Sequence, residues 1–402
     1  MKIEKNRRIR DVPAFLFSLM LWRALPAKVV ALFAGSRGES LAMGMVVVFC
    51  VVVYIWHVFA RMHGKLPGGR AMLVPFSGVA ILGASVLLHP NEWNTLYLTY
   101  FIRYVFFTLI FLLSVKDYSY LVETFYRFSF VAFVILGWQP MISSNVFTSW
   151  MDYGFAIALP CTIGLYCLAK SNGKIIYWAA MVTSFFLAIA FANRSTWLCI
   201  LFFIALYKVT IENKTLTLKK FVFIYLALAA IVLTVYNFEA ILDWLIMLNE
   251  HFDYNSHSLL KIKQLLNGTT LDVFTSGRQG LSNMAIDQIG DSFPFGAGVG
   301  TFEVSNGVYS HNIILDLLLY WGIFGVFFGG IALVGVFRSA LREKDASLKT
   351  LKIILLCMWF PKLLFSGSFT YEIPLWSGIA LFVLEVSTRQ KKGILKGGKN
   401  NG

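Results

Sequence analysis

Long apolar runs, separated by short polar or basic gaps, set the pattern of the chain. A helix needs about 17–25 predominantly apolar residues to cross the hydrocarbon core of a bilayer. Runs of about that length recur along the sequence, and we predict a transmembrane helix for each. The first run is interrupted by Arg23 and Lys28, so an interfacial helix is the alternative there. The predicted spans are 13–34, 41–60, 71–89, 97–115, 119–138, 151–169, 175–191, 196–210, 221–238, 309–337, 351–369 and 374–389.

Lysines and arginines concentrate in particular gaps between the runs, and this orients the predicted spans. Cytoplasmic loops of membrane proteins carry an excess of these residues. An even number of spans separates every two basic gaps, so all of these gaps can lie on the cytoplasmic side. The pattern therefore predicts about 12 crossings, with both termini in the cytoplasm. The basic gaps are 61–70, 116, 170–174, 208–220 and 338–352, together with both ends of the chain.

One gap on the opposite side, residues 239–308, is far longer than the others. Long loops in compact proteins are usually functional or disordered, and this one is not of low complexity. It contains amphipathic stretches at Ala240–Phe252, Leu259–Leu266 and Leu281–Ile289. We expect a small helical extracytoplasmic cap here, carried by a single integral membrane domain that covers residues 1–402. The predicted fold class is an all-α polytopic membrane protein.

The composition agrees with this class and excludes several others. Of 402 residues, 58% are hydrophobic and only 14% are charged, with a mean hydropathy of +0.69. Soluble domains carry about 25% charged residues, so a cytosolic enzyme, a disordered chain and a secreted disulfide scaffold are excluded. The net charge of +14 comes from basic residues in short loops, which indicates topology rather than a nucleic-acid partner. The five cysteines lie inside apolar runs, where they are expected to pack in the core.

Candidate chemistry is concentrated between Thr275 and Gly325. Nucleotide-binding, zinc and nucleophile-elbow motifs are absent from the chain. In this segment, Arg278 opens an amphipathic stretch, and a glycine-rich turn follows at Pro294–Gly300. Tyr309-Ser310-His311-Asn312 then enters the next predicted span. The chain continues with nine residues and a Gly322-x-x-Gly325 pair, which we expect to bend the helix or admit a close neighbour.

This segment resembles the O-antigen ligase and O-antigen polymerase superfamily of bacterial inner-membrane glycosyltransferases. The matching pieces are the many spans, the large late loop with an early arginine, and the His-Asn-x9-Gly-x2-Gly run. The turn from Asn193 to Trp197, with Arg194, is similar to the Ser-Arg turn of that superfamily, although Asn193 replaces the more usual serine. The remainder of the chain matches in hydropathy only.

The resemblance implies a C-type glycosyltransferase (GT-C) fold that needs no metal or other cofactor. It implies an undecaprenyl-pyrophosphate-linked glycan as donor and a glycan-lipid as acceptor. The reaction would take place at the periplasmic face of the bacterial inner membrane, among membrane lipids. By match to the motifs, Arg194 and Arg278 would hold the pyrophosphate, and His311 would act as general base or position the acceptor.

Physical chemistry supports these roles. Sugar transfer from a lipid pyrophosphate creates an anionic leaving group, and guanidinium forks neutralise such a group well. A histidine with a pKa near 6.5 suits the removal of a proton from an attacking hydroxyl at neutral pH.

Each residue also has a structural interpretation. Arg194 could reach to lipid head groups, and Arg278 could pair with Asp272 or Asp287. His311 could cap its helix, because Ser310 and Asn312 are typical N-cap residues.

Further residues are secondary candidates. We expect Arg37 and Arg103 to contact phosphate or glycan, and Tyr309, Asn312, Asp316 and Glu303 to contact the acceptor. Asp316 lies about one helical turn beyond Asn312. Arg103 and Lys362 fall inside apolar runs, where a charge costs at least about 2.5–3.5 kcal/mol on insertion scales. A partner or a cavity is therefore expected for both. An internal ion pair is the structural interpretation of Arg37 and Arg103.

Three functions remain open from the sequence. We favour an O-antigen polymerase, which moves a growing undecaprenyl-linked glycan onto a lipid-linked repeat unit. A ligase, which moves the finished glycan onto lipid A-core, is the first alternative. A chain-length regulator protein is a further partner that the polymerase resemblance implies. A lipid or polysaccharide transporter, or flippase, is the second alternative, with Arg103 and Lys362 as its substrate sites.

Overall fold

The computed structural model describes residues 11–61, 69–142, 147, 149–212, 238–252, 257–266, 278–365 and 367–397. These residues are helical and include no strand, as predicted. The N-terminal half of the chain holds α1 (Val12–Leu21), α2 (Ala24–Arg61), α3 (Arg70–Leu88), α4 (Glu92–Leu113), α5 (Tyr118–Ile142), α6 (Met151–Asn172), α7 (Ile175–Phe191) and α8 (Arg194–Thr210). The C-terminal half holds α9 (Phe238–His251), α10 (His257–Leu266), α11 (Arg278–Ser292), α12 (Thr301–Asn306), α13 (Ile313–Arg342), α14 (Ala346–Phe365) and α15 (Ile373–Gly397).

The lengths and composition of the helices confirm a helical membrane protein. Six of the described helices, α2 to α6 and α13, are long and apolar enough to cross a membrane. Four shorter apolar segments lie in α1, α7, α8 and α15. The predicted span 221–238 falls outside the described residues, except for its last residue. Twelve spans therefore stay a prediction.

The first two predicted spans are divided differently from expectation. The first run breaks at Trp22 and Arg23, where the chain turns from α1 into α2. The gap expected at 35–40 is a kink within α2 at Gly35, whose φ of +64° is open to glycine. Lys28 pairs with Glu39 across this kink at 2.8 Å, and the lysine side chain is only 2% exposed. The ion pair explains how a lysine is tolerated in an apolar run.

By contacts the chain divides into two compact units. Unit I contains Met1–Phe128 and Arg278–Gly402, and unit II contains Ser129–Gly277. In unit I, α13 packs against α11, α14 and α15, and α15 also contacts α3 and α4. The end of α4 packs against α1, which also contacts α2. Unit I therefore joins the start and the end of the chain into one helical body.

Unit II is built on α6, whose apolar face packs against α7 and α8. The ring of Tyr166 on α6 lies between those of Trp178, Phe203 and Tyr207, at centroid distances of 5.4–6.0 Å. Helix α9 packs against α7 and α10.

The three amphipathic stretches of the long loop are helical, as predicted, in α9, α10 and α11. The first two belong to unit II and the third to unit I. A common cap formed by all three stays a prediction.

Candidate functional site

The helix α13 is interrupted at Gly322, and the glycine-rich turn 294–300 packs against the interruption. Gly322 has non-helical dihedral angles, with φ of +59°. The freed backbone groups pair with the turn: the amide of Ile323 donates to the Pro294 carbonyl at 3.0 Å, and the amide of Ala297 donates to the Leu319 carbonyl at 2.7 Å. A Cβ on Gly322 would lie 1.8 Å from the Pro294 oxygen. The predicted bend is present, and its glycine is required because another backbone enters it.

The other side of the same turn packs on the connection between α3 and α4. Asn91 donates from Nδ2 to the Val299 carbonyl at 3.1 Å. A Cβ on Gly300 would lie 2.5 Å from Asn91 Oδ1, and one on Gly298 would lie 2.8 Å from the ring of His89. The glycines let the turn pass between two helical elements. The short helix α12 starts directly after the turn, so its position is fixed from both sides.

Glu303 on α12 forms the centre of a buried polar group. Its Oε1 accepts hydrogen bonds from the hydroxyls of Tyr97, at 2.8 Å, and Tyr320. Its Oε2 is buried and has no hydrogen-bond partner among the described residues. Burial raises the pKa of the Glu303 carboxyl, against the lowering effect of the two hydroxyls. One oxygen of this carboxyl is thus held in place, and the hydrogen-bonding capacity of the other is not used by the described residues.

Asp316 in the first turn of α13 repeats this arrangement. Its Oδ1 accepts a hydrogen bond from the Ser310 hydroxyl at 2.6 Å, and the residue is fully buried. Its Oδ2 also has no hydrogen-bond partner within the described part of the chain. Glu303 is a charged neighbour of Asp316. We call Tyr97, Glu303, Ser310, Asp316 and Tyr320 the acid–tyrosine cluster.

His311 is placed between two residues that fix the start of α13. Asn312 caps the helix, because its Oδ1 accepts from the amides of Ile314 and Leu315. Ser310 Oγ accepts from the Asn312 amide at 3.3 Å, and its own proton goes to Asp316. Asn312 and Ser310 therefore provide the N-cap chemistry that the sequence indicates.

Among the described residues, His311 is the one non-glycine with a positive φ, +62°. Such a conformation costs on the order of 1–3 kcal/mol and is concentrated at functional sites. The imidazole lies 4.3 Å from the ring of Tyr309 and is partly exposed. The backbone holds this side chain at the edge of the polar group instead of burying it.

Tyrosines supply contacts that the sequence reasoning missed. The ring of Tyr371 lies 6.1 Å from that of Tyr97 and 5.5 Å from that of Tyr100. Tyr309 and Asp316 are among its electrostatic neighbours, and burial raises the pKa of the Tyr371 hydroxyl. Tyr97 and Tyr320 stand inside apolar spans, where a hydroxyl must find a partner. The position of these two tyrosines in apolar spans could have indicated polar partners for their hydroxyls, although it does not identify Glu303 as the partner.

An apolar groove of about 510 Å³ lies beside the acid–tyrosine cluster. Residues of α3, α13 and α15 line it, together with Phe369 and Thr370. Ile313 at its edge follows the Asn312 cap, and Phe369 packs on Tyr320 at 5.8 Å. The groove therefore places a long apolar surface next to a small polar site.

The other predicted site residues make no direct described contact with this cluster. Arg37 is exposed on α2, and Arg103 lies in α4 against Tyr104. Arg278 is the first residue of α11 in unit I, and Arg194 is the first residue of α8 in unit II. The side chains of Arg194 and Arg278, and the whole of Asp272, lie outside the described part of the chain.

Two further features of the candidate site concern ion pairs and metals. Lys362 has the partner that we expect for a charge within a span, since it pairs with Glu372 at 2.5 Å. Within the described ranges, no group of three His, Cys, Asp or Glu side chains is arranged to hold a metal ion.

Asn193 caps α8 with a side-chain oxygen that accepts from the Thr196 amide at 3.2 Å. An asparagine thus does at this turn what the expected serine would do, since both are good N-cap residues. The departure from the usual Ser-Arg pattern still provides a capped helix start at this turn.

Comparisons with protein families, with curated proteins and with solved structures find no match to this chain.

Proposed function

We propose that this chain is a membrane-embedded glycosyltransferase of the O-antigen polymerase type, with a GT-C fold of twelve spans. It moves an undecaprenyl-pyrophosphate-linked glycan onto a lipid-linked repeat unit at the periplasmic face of the inner membrane. The observation that supports this most is the pair of buried carboxyls, Glu303 and Asp316, each with one hydrogen-bonded and one unpartnered oxygen. Such oxygens suit the binding of sugar hydroxyls.

The reaction requires little beyond orientation, a base and charge neutralisation. The acceptor hydroxyl oxygen attacks the anomeric carbon of the donor sugar, and its proton passes to His311. The bond between that carbon and the pyrophosphate oxygen breaks, and the pyrophosphate leaves with the bonding electrons. Glu303 and Asp316 orient the acceptor by accepting hydrogen bonds from its hydroxyls. Proton transfer to a positioned base contributes about 10²–10⁴-fold to such reactions.

The apolar groove supports a lipid-linked substrate. A wall formed almost wholly by apolar side chains does not suit a polar glycan, whereas it suits a polyprenyl chain. Because Ile313 and Thr370 line the groove and are the chain neighbours of Asn312 and Tyr371, a lipid chain bound there would have its head group near the polar site. Arg194 and Arg278 remain the residues that the family resemblance assigns to the pyrophosphate.

The ligase and the transporter are the alternatives. A ligase would use the same donor chemistry and differ in its acceptor. A transporter would rely on charges within spans. The Lys362–Glu372 pair gives Lys362 a partner within the chain, so its charge alone is no argument for a transported substrate.

Surface polysaccharide from a strain that lacks this gene provides the test. Polymerase activity predicts lipid A-core with a single repeat unit in the deletion strain, and long chains after the wild-type gene is restored. Bare core together with long undecaprenyl-linked chains would establish a ligase instead. Accumulation of lipid-linked units on the cytoplasmic side would establish a flippase.

A further inference from the structure

We infer that a second group of side chains in unit I, Arg23, Arg103 and Lys362 around Tyr104 and Glu372, binds a pyrophosphate group. We call this group the basic cluster. That the pyrophosphate belongs to a lipid-linked donor rests on the proposed function. The binding of pyrophosphate itself does not.

Arg23 is the residue that most strongly supports this inference. It lies at the turn between α1 and α2, with its guanidinium carbon 5.0 Å from the centroid of the Tyr104 ring. It donates from Nη1 to the Met20 carbonyl at 3.3 Å. Its Nε is buried and has no hydrogen-bond partner among the described residues. Arg23 as a whole is half-buried, and a buried N–H of its guanidinium without a partner is unfavourable unless a ligand completes its hydrogen bonds.

Arg103 contacts the same tyrosine from within a membrane-spanning helix. It lies midway along α4, and its guanidinium carbon is 5.2 Å from the Tyr104 ring centroid. A Cβ on Gly44 would lie 2.7 Å from its Nη2, so α2 makes room for the guanidinium by a glycine. Charged side chains within spans are rare and usually mark a binding site.

Lys362 and Glu372 complete the basic cluster. Lys362 donates from Nζ to Glu372 Oε2 at 2.5 Å. The carboxylate of Glu372 also attracts the Arg23 guanidinium electrostatically. As defined, the cluster holds three cations and one carboxylate. A pyrophosphate carries several negative charges on tetrahedral groups that match the planar donor fork of arginine.

The tyrosines connect this basic cluster to the acid–tyrosine cluster. The ring of Tyr100 lies 5.9 Å from Tyr104 and 5.5 Å from Tyr371, and Tyr371 precedes Glu372 in the chain. Tyr371 in turn lies beside Tyr97. A transfer reaction needs its leaving group and its attacking hydroxyl next to each other. One unit of this protein offers a basic and an acidic site joined through Tyr100 and Tyr371.

Binding measurements on the full-length protein in lipid nanodiscs test this inference without any acceptor or turnover. The probes are inorganic pyrophosphate and undecaprenyl pyrophosphate. We expect Arg23→Gln and Arg103→Gln to weaken binding at least tenfold. Arg127→Gln is the matched control, because Arg127 is exposed on α5 in an i,i+4 pair with Glu123 and lies outside both clusters. It should bind as the wild type does.

The two probes separate the sources of the anion. Binding of both probes, weakened by the same substitutions, identifies a general pyrophosphate site. Binding of undecaprenyl pyrophosphate alone identifies a lipid head-group site. Unchanged binding in both Arg23→Gln and Arg103→Gln overturns the inference, and the pyrophosphate is then held elsewhere, as at Arg194 and Arg278.

Folding of the variants, pyrophosphate binding and sugar transfer are measured separately. If Arg23→Gln does not fold, Arg23→Lys keeps the charge but loses the donor fork, and we expect it to fold and bind several-fold more weakly. Wild-type affinity in a folded Arg23→Lys protein and in Arg103→Gln would contradict the inference. Loss of pyrophosphate binding in these variants, combined with a wild-type protein that never transfers sugar, would leave the site in place and refute the proposed function alone.

Discussion

The two ends of α13 carry buried polar groups that differ in one respect. At the C-terminal end, Lys352 donates to Glu343 at 2.6 Å and to Glu385 at 2.9 Å, and Ser339 also donates to Glu385. At the N-terminal end, Glu303 and Asp316 each keep an oxygen without a hydrogen-bond partner among the described residues.

The pKa values of the carboxyls at the two ends of α13 shift in opposite directions. Burial raises the pKa of Glu303. For Glu343 the hydrogen bond from Lys352 and those from nearby amides outweigh the raising effect of burial, so its pKa is lowered. A charge network completed within the chain stabilises the fold, whereas an incomplete one is suited to a ligand.

The largest expected effect is the loss of activity in His311→Ala. We expect sugar transfer to fall by about 10²–10⁴-fold, because the base for the attacking hydroxyl is removed. Insertion and thermal stability should stay near those of the wild type, since the side chain is partly exposed. The measurement is single-turnover transfer by purified protein, together with a melting curve. Normal transfer by His311→Ala would remove this residue from the proposed site.

Lys352→Met should have the opposite profile. Removing the lysine leaves two half-buried carboxylates without their cation, which costs about 1–3 kcal/mol of unfolding free energy. Transfer activity per folded molecule should be unchanged, because the network lies at the far end of α13 from His311. Chemical or thermal unfolding in detergent measures the loss. Equal stability with reduced activity would mean that the comparison between the two ends is wrong.

Gly322→Ala should affect both properties at once. The substitution strains a positive φ and brings a Cβ against the Pro294 carbonyl, so we expect a loss of about 1–3 kcal/mol and a drop in activity. Gly330→Ala on the same helix is the control, because its Cβ would meet nothing within 4 Å. That control should be neutral or more stable by about 0.5–1 kcal/mol. Equal behaviour of the two variants would show that the turn does not depend on the break.

The smallest effect is the pH dependence of stability. The raised pKa of Glu303 means that the folded state holds this proton more tightly than the unfolded state does. Its contribution is full below the unfolded pKa of about 4.3 and is lost as pH rises through the folded pKa. Glu343 behaves oppositely, with stability lost as pH falls through its lowered pKa.

Melting temperatures of Glu303→Gln and Glu343→Gln across pH 4–8, each subtracted from the wild type, separate these two contributions. Opposite slopes are expected. Slopes of the same sign would contradict the assignment of the two carboxyls.

Apolar runs predicted the helices well and the polar contacts poorly. The span 175–191 is a helix with those same bounds, because an uninterrupted apolar run has one way to satisfy its backbone in a membrane. The run 13–34 broke at Arg23, because a charge there needs tertiary partners. Periodicity could not predict that Tyr97 and Tyr320 both donate to Glu303, since these hydrogen bonds join different helices, with partners 206 and 17 residues apart in the chain.

The motif residues show the same division. Asn312 was recognised as a capping residue, because capping is local. At Gly322 a bend or a close neighbour was predicted, but that the neighbour is the backbone at Pro294 was not, because the glycine itself does not identify the approaching segment. Lys352 stood in a basic gap assigned to topology, whereas its side chain completes a buried network. The roles of Arg194 and Arg278 stay predictions.

The packing of the glycine-rich turn against distant parts of the chain has a consequence for the order in which the protein is synthesised and folds. Asn91 and Val299, which hold the turn to the α3–α4 connection, are 208 residues apart. During synthesis the first of these residues is in the membrane long before the second has left the ribosome. Glu303 reaches its tyrosines only after α13 has been inserted and the turn has entered the break at Gly322. The candidate site therefore matures late, and a chain that stops before α13 would be membrane-embedded but without a completed site.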